Sequence, residues 1–298
     1  MQPNSDMLQM SLDMAIANSF LLSTIAFLAL VVIGMFATWK GRKLQIFSRE
    51  YMSKSKLLRF APFRLAMYLA VGLTWHASRF RLPAIEFLLT YSMDNRLGIA
   101  LRAAYWKARL KHMGKNVRID VGARFSNSHN ISIGDGAWID AYVLLIAWKD
   151  GGRGYVGHLK VRSNPNFKFN GGELIIGKGC HIAPHVLIQA IGGVYIGDFT
   201  GIASGSRVYS LSHHYKGPED RKVIYKFTPQ APPEEQSLIE GPVVFEGNNA
   251  LGLNSVVLPG VTIGRNSWIG VCSYVIEDVP PNCIASGTPC KIMKNRFA

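Results

Sequence analysis

The sequence has few cysteines and few acidic residues, and each shortage narrows the classes of protein it can encode. Four cysteines stand among 298 residues, and no two of them have Cys-x-x-Cys spacing. This pattern favours reduced thiols in a reducing compartment over a disulfide framework. Residues 40–118 contain seventeen Lys or Arg against three acids, and this block accounts for the whole net charge of +14. The basic character is therefore local.

Charged residues are absent from residues 14–39, and residues 20–39 form an apolar run long enough to cross a bilayer as a helix. The start of this run is slightly acidic, whereas a cleaved signal peptide has a basic start. We predict a polar tail over 1–14 and an uncleaved transmembrane helix over 15–39; a buried soluble helix is the alternative. Basic residues follow at once, so the positive-inside rule predicts a single pass through the cytoplasmic (inner) membrane, with the N-terminus outside and the C-terminal body of the chain in the cytoplasm.

Residues 40–116 combine the basic block with short apolar runs, which predicts a helical juxtamembrane region. The run 63–75 is short for a second span, so we favour a helix lying on a membrane with anionic lipids; a crossing within 62–90 stays open. Residues 96–113 have amphipathic helical spacing, and Gly114 stands where such a helix would stop. Nucleic acid is not an expected partner, because no nucleic-acid motif is present.

Neither a helical nor a two-residue period fits residues 245–276, where every sixth residue is apolar. Glycine follows the apolar residue at Gly252, Gly264 and Gly270, which suits a turn that crowds the backbone. A period of six predicts short strands separated by tight turns, with every sixth side chain pointing inward. The same rhythm occupies most of 117–298, and two long excursions, 146–172 and 209–244, interrupt it. The predicted inward residues are Ile119, Phe125, Ile133, Ile139, Leu145, Ile176, Ile182, Ile188, Ile196, Ile202, Val208, Phe245, Leu251, Val257, Ile263, Ile269 and Val275.

The segment 260–295 resembles the closing part of the hexapeptide-repeat acyltransferases. The resemblance covers 117–298 and is strongest to galactoside and maltose acetyltransferases and to the O-acetyltransferases of capsule and O-antigen synthesis. It implies a mainly β chain built on a left-handed parallel β-helix. It also implies a homotrimer with active sites between subunits, and acetyl-CoA as co-substrate without a metal.

The second excursion opens with a serine-rich turn and two histidines, and it resembles the family segment that carries a catalytic histidine. The resemblance implies that His213 is the general base, with His214 as the alternative and a packed loop histidine as the non-catalytic explanation. An acid at 219 or 220 is a weaker candidate for orienting the imidazole. The acceptor candidates are Gln189 and Tyr215, and the donor residues implied by the resemblance are Gly252, Leu253, Gly270, Val271, Lys291 and Lys294.

The predicted function is membrane-anchored O-acetyl transfer from acetyl-CoA to a sugar hydroxyl during capsule, O-antigen or exopolysaccharide synthesis. The sugar acceptor would be lipid-linked or nucleotide-linked. A departure from the family pattern at Ile276 and Glu277 leaves acetyl against a larger acyl group open. The alternatives are N-acyl transfer to an amino sugar, a non-catalytic trimeric scaffold, and a zinc site among clustered histidines. The spacing of those histidines disfavours zinc.

Overall fold

The computed structural model describes residues 23, 25–26, 28–46, 61–78, 83–148, 158–160, 171–216 and 224–298. Within these described ranges the helices are α1 over 28–43, α2 over Ala61–Ala77, α3 over Pro83–Tyr91 and α4 over Arg96–Lys107. Among the described residues, none of the helices has both the length and the apolar character that a membrane crossing requires. The predicted tail and part of the predicted span lie outside the described residues.

Three sheets of parallel strands form the three faces of a β-helix that the chain visits in turn. The first face contains β1 (His112–Met113), β4 (Ile131–Ile133), β8 (Leu174–Ile176), β11 (Val194–Ile196), β16 (Val243–Phe245) and β19 (Thr262–Ile263). The second contains β2 (Arg118–Ile119), β5 (Trp138–Ile139), β9 (His181–Ile182), β12 (Gly201–Ile202), β17 (Ala250–Leu251), β20 (Trp268–Ile269), β22 (Cys283–Ser286) and the antiparallel β23 (Lys291–Asn295). The third contains β3 (Arg124–Ser126), β6 (Leu144–Ile146), β10 (Leu187–Gln189), β13 (Arg207–Tyr209), β18 (Val256–Val257) and β21 (Tyr274–Val275).

The inward side chains stack in register along each face, as the six-residue rhythm predicts. On the third face, Ile188 lies between Leu145 and Val208 in the strand register, and all three are fully buried. Every predicted inward residue is in the buried core, where close packing and apolar burial stabilise the coils. The predicted repeat architecture is therefore present; its left-handed winding stays a prediction.

The corners between faces explain why glycine and asparagine recur. The backbone has positive φ at Asn248, Asn266 and Asn282 on consecutive coils, a conformation that asparagine tolerates better than most residues. The Asn248 side-chain amide donates to the Asn266 side-chain oxygen at 2.9 Å, and the Asn266 amide donates to Asn282 at 2.9 Å. This ladder ties the last coils together at the corner between the first and second faces.

The prediction of one helix over 96–113 is wrong in its last third. α4 begins at its cap Asn95, whose side chain accepts from the Gly98 N–H at 2.9 Å, and it ends at Lys107. Residues 112–113 instead form β1 and pair with β4, so Met113 joins the inward stack. Tertiary pairing overrides the local helical pattern here. The first coil therefore starts five residues before residue 117.

The helices pack against one another and against the first coil. A side chain at Gly72 in α2 would overlap the backbone of Ala37 in α1, so glycine permits this close approach. Arg102 in α4 is fully buried and is not part of a basic surface. Its guanidinium donates to Leu89 O at 3.0 Å, Met93 O at 2.8 Å and Ile119 O at 3.1 Å. It thereby joins the end of α3 to the first coil.

Both excursions leave from the corner between the third and first faces. Strands of the frame end at Ile146 and Tyr209 and resume at Leu174 and Val243. The excursions contribute β7 (His158–Lys160), β14 (Leu211–His213) and β15 (Leu238–Glu240) to a small separate sheet. β14 pairs antiparallel with β15, and β15 pairs parallel with β7. The second excursion thus begins as an ordered strand that carries the predicted base.

Candidate active site

β14 is held to the β-helix at its first residue. The Gln189 side-chain oxygen accepts a hydrogen bond from the Leu211 N–H at 3.1 Å. The Ser210 hydroxyl donates to Gln189 O at 2.8 Å and accepts from the Gly192 N–H at 2.9 Å. Gln189, predicted as an acceptor-site residue, therefore also fixes the backbone two residues before His213. These contacts give Gln189 a structural role at the corner between the third and first faces.

His213 ends β14, where its backbone pairs with Leu238 of β15. The residue is half-buried, and its Nδ1 atom is shielded from solvent without a hydrogen-bond partner among the described residues. A shielded ring nitrogen of this kind needs a partner to fix the tautomer of a catalytic imidazole. Residues 217–223, which include both acids predicted as weaker orienting candidates, lie outside the described part of the chain.

His214 is engaged in a local turn. Its Nδ1 lies 3.1 Å from Lys216 N and 2.9 Å from Lys216 O, and its backbone N–H donates to Ser237 O at 2.8 Å. The imidazole stacks on the ring of Tyr215, with centroids 4.7 Å apart. Tyr215 is itself 68% exposed, so it is available to an acceptor. Because both backbone groups of Lys216 compete for the same ring nitrogen, His214 is better placed to shape the turn than to move a proton.

The predicted donor residues lie together at the corner between the second and third faces. Gly252 and Gly270 come directly after β17 and β20 and stack on consecutive coils, where the Gly252 N–H donates to Ile269 O at 2.9 Å. Leu253 and Val271 follow them, and both are about half exposed. This corner therefore presents apolar side chains beside closely packed backbone, a surface suited to an extended ligand arm.

Three buried serines support this corner, and the sequence analysis did not single them out. The Ser206 hydroxyl donates to Gly252 O at 2.8 Å, and Ser255 and Ser273 donate to Gly270 O at 3.0 and 2.8 Å. Buried carbonyls require such partners. Each serine stands two residues before an inward residue, so the spacing itself was a signal that could have identified them.

The two predicted lysines lie on β23, the last strand of the second face. A bulge between Ile284 and Ala285 brings Lys291 opposite Ser286 and Lys294 opposite Ile284. Ser286 adjoins Gly270, because a side chain on that glycine would overlap the serine. Lys291 therefore lies beside the donor corner, and every residue of β23 is exposed.

The base and the donor corner do not meet within one chain. His213 projects from the corner between the third and first faces, whereas Gly252 and Gly270 occupy the corner between the second and third faces. The whole third face separates them.

Cys180 and His181 are each held by their surroundings. All four cysteines are free, and burial raises the pKa of the Cys180 thiol to about 11, which disfavours the thiolate nucleophile. His181 stacks on Trp138 with centroids 4.4 Å apart and lies 3.2 Å from the Asp140 carboxylate. Over the described residues, no group of three or more His, Cys, Asp or Glu is arranged to hold a metal.

Comparisons with known proteins give no matching protein-family model but several similar proteins. The dTDP-4-amino-4,6-dideoxy-D-glucose acyltransferase of Escherichia coli is 28% identical over 186 residues, which are 62% of this chain and 82% of that protein. Galactoside O-acetyltransferase of Escherichia coli (strain K12) is 45% identical over 53 residues, 18% of this chain and 26% of that protein. The chain thus spans about a quarter of that second relative.

A solved structure of AntD, an N-acyltransferase from Bacillus cereus, has a similar fold. In its complex with dTDP and 3-hydroxybutyryl-CoA, it matches with a TM-score of 0.51 and 25% identity, covering 64% of this chain and 85% of that chain. Another AntD structure contains dTDP and coenzyme A. The described fold and these similarities together make acyl transfer the reaction class to consider.

Proposed function

We propose that this chain, whose homologues are hexapeptide-repeat acyltransferases, transfers an acyl group from a coenzyme A thioester to a sugar. Those relatives are acyltransferases and acetyltransferases, which supports the predicted enzyme class, and coenzyme A in AntD agrees with the predicted co-substrate. The observation that carries the proposal for this chain is His213, presented by a strand that Gln189 ties to the β-helix.

In the proposed reaction, the His213 imidazole takes the proton of an acceptor hydroxyl. The hydroxyl oxygen attacks the thioester carbonyl, a tetrahedral intermediate forms, and the carbon–sulfur bond breaks as the carbonyl reforms. The imidazolium then returns the proton to the coenzyme A thiolate, so no net proton is gained or lost. General base catalysis of this kind contributes roughly 10²- to 10⁴-fold to rate.

The proposed site is shared between subunits of a homotrimer. Its support is the separation of His213 from the donor corner at Gly252 and Gly270, since a second copy can bring its own donor corner to the first copy's base. The donor's acyl arm would run along that corner, and Lys291 and Lys294 would face its phosphates. Tyr215 and Gln189 would border the acceptor.

The acceptor atom has two candidates. A sugar hydroxyl is favoured by the resemblance of the closing segment and by the match to galactoside O-acetyltransferase. A sugar amine is favoured by a longer match, because the dTDP-amino-sugar acyltransferase aligns over 186 residues. Capsule, O-antigen or exopolysaccharide synthesis supplies both kinds of acceptor. Acetyl is the proposed acyl group.

The proposed location is the cytoplasmic membrane, with a single pass, the N-terminus outside and the catalytic domain in the cytoplasm. Its support is α1, where large apolar side chains such as Leu30, Met35 and Phe36 are more than 60% exposed. The basic residues Lys40 and Lys43 follow them. Fusion of a fluorescent protein to the C-terminus would test this topology, since a dark fusion in intact cells would contradict a cytoplasmic domain.

The role of His213 is tested by release of free coenzyme A thiol from acetyl-CoA with purified full-length protein. His213→Ala should lower kcat by roughly 10²-fold or more, whereas the neighbouring control His214→Ala should keep most of the activity. Equal losses in the two variants would contradict the assignment. Comparison of a simple galactoside with dTDP-4-amino-4,6-dideoxyglucose as acceptor decides between the hydroxyl and the amine.

A further inference from the structure

A cavity of about 450 Å³ lies between the helices and the first coil. Its walls come from α3, α4 and β3, three elements that are separate in sequence. It is remote from the proposed acyl-transfer site, because β14 leaves the fourth coil and the donor corner belongs to later coils. The residues that matter for its chemistry are Glu86, Phe87, Tyr91, Trp106, Arg109 and Arg124.

The charge of this cavity is positive. Glu86 is already satisfied, since the Tyr105 hydroxyl donates to its carboxylate at 2.6 Å and Arg109 lies 3.7 Å from the same oxygen. Burial and this hydrogen bond raise the pKa of Tyr105, which keeps the hydroxyl protonated as the donor. The backbone N–H of Arg124 donates to Val143 O, but its guanidinium has neither a hydrogen bond nor an ion pair with any residue that the structure describes. Two guanidinium groups against one carboxylate leave a net charge of +1 for an anion.

The rest of the lining is aromatic. Trp106 is almost completely buried, whereas Phe87 is 63% and Tyr91 is 45% exposed. The rings of Phe87 and Tyr91 lie 5.4 Å apart on α3, and Leu88 beside them is also more than half exposed. A site for a small free anion gains nothing from exposed aromatic rings, but a ligand that combines an anion with an apolar chain covers them.

We propose that this cavity binds the phosphate group of an amphiphile, with the phosphate at Arg124 and Arg109 and the apolar chain against Phe87 and Tyr91. Guanidinium groups recognise phosphate through paired charge-assisted hydrogen bonds. Binding is separate from acyl transfer, so it is measured without turnover and succeeds or fails independently of the proposed enzyme activity.

Calorimetry with the full-length protein tests the proposal with three soluble probes: dihexanoyl phosphatidic acid, inorganic phosphate, and the dihexanoyl glycerol that lacks phosphate. The phosphatidic acid should bind at least tenfold more tightly than either partial probe. Arg124→Gln should weaken it by roughly tenfold or more, because one charge-assisted contact is lost. Phe87→Ala should weaken phosphatidic acid and leave inorganic phosphate unchanged.

The matched control is Arg207→Gln. Arg207 is exposed on the same outer row of the third face as Arg124, three strands away in the register. The Arg207→Gln variant should bind phosphatidic acid as tightly as the unmodified protein does. Equal weakening by both substitutions would indicate general attraction of an anion to a basic protein and would overturn the site. Inorganic phosphate binding as tightly as phosphatidic acid would overturn the role of the apolar chain.

Discussion

Gly252 provides a direct test of how closely the coils approach at the donor corner. A Cβ atom at this position would lie 2.6 Å from Gly270 C and 2.6 Å from Val271 N, well inside van der Waals contact. Both atoms belong to backbone, so no side-chain rotation relieves the overlap. Gly252→Ala must therefore separate the fifth and sixth coils locally.

The loss of stability expected for each substitution depends on whether backbone or side-chain atoms must move. Overpacking against fixed neighbours costs roughly 1–3 kcal/mol, which lowers Tm by about 2–5 °C in a chain of this size. Gly270→Ala should have a smaller effect, because the nearest atoms belong to the Ser286 side chain, whose hydroxyl can rotate. Both substitutions should also raise KM for the acyl-CoA, since they move the proposed donor surface.

Gly201→Ala is the matched control. Gly201 lies in β12 on the same face, and a Cβ there would meet no atom within 4 Å. Alanine at such a site restricts the unfolded chain and is neutral or stabilising by up to about 1 kcal/mol. The assay is thermal unfolding of the three variants beside acyl-CoA kinetics. Equal Tm values for Gly252→Ala and Gly201→Ala would refute the stacking of coils at this corner.

Three further outcomes are expected. Burial raises the pKa of Cys180 from 9.0 to about 11, so the folded state favours the protonated thiol and gains its full stabilisation below pH 9. The unfolding free energy should therefore fall by about 3 kcal/mol as pH rises from 9 through 11. A Cys180→Ala variant should lack that fall in urea unfolding. Arg102→Met leaves three carbonyls without their donor and should lower the unfolding free energy by roughly 2–4 kcal/mol in the same assay; an unchanged midpoint would contradict the buried link. Joint substitution of Lys291 and Lys294 by Gln should raise KM for acetyl-CoA roughly five- to tenfold with little change in kcat, and the difference should shrink in high salt; a loss of kcat alone would place both lysines outside the donor site.

The repeat was predictable because every inward residue lies in the same environment, the buried apolar interior of the coils. Ile188 and Val208 point into the same closed stack, so the six-residue period directly reports the coil. The start of the domain was not predictable in the same way. Residues 112–113 continue a helical apolar pattern, and only pairing with β4 assigns them to a strand. Local sequence carries no information on that partner, which lies about twenty residues further on.

The summed charge identifies residues 40–118 as a basic block, but it gives a wrong expectation for one arginine in that block. The basic block 40–118 contains Arg102, which composition alone assigns to a surface. The structure buries it because the carbonyls of Leu89, Met93 and Ile119 converge on one point and require a donor with several N–H groups. Such convergence depends on the docking of α3 on the first coil, which no spacing rule predicts.

The candidate site contains residues that could be predicted from the sequence and residues that could not. His213 was predicted from the resemblance of its excursion to a family segment, but the backbone two residues before it is fixed by Gln189 of the neighbouring coil, whose side-chain oxygen accepts from the Leu211 N–H. The donor corner was predicted from the family resemblance, yet the serines that satisfy its carbonyls were not predicted. In each case the sequence analysis gives the residue proposed to perform the chemistry, and the neighbouring coil supplies its support. Because the base and the donor corner occupy different corners of one chain, a variant that keeps each coil intact but prevents the proposed association should turn over acceptor slowly, and unchanged turnover would contradict the proposed shared site.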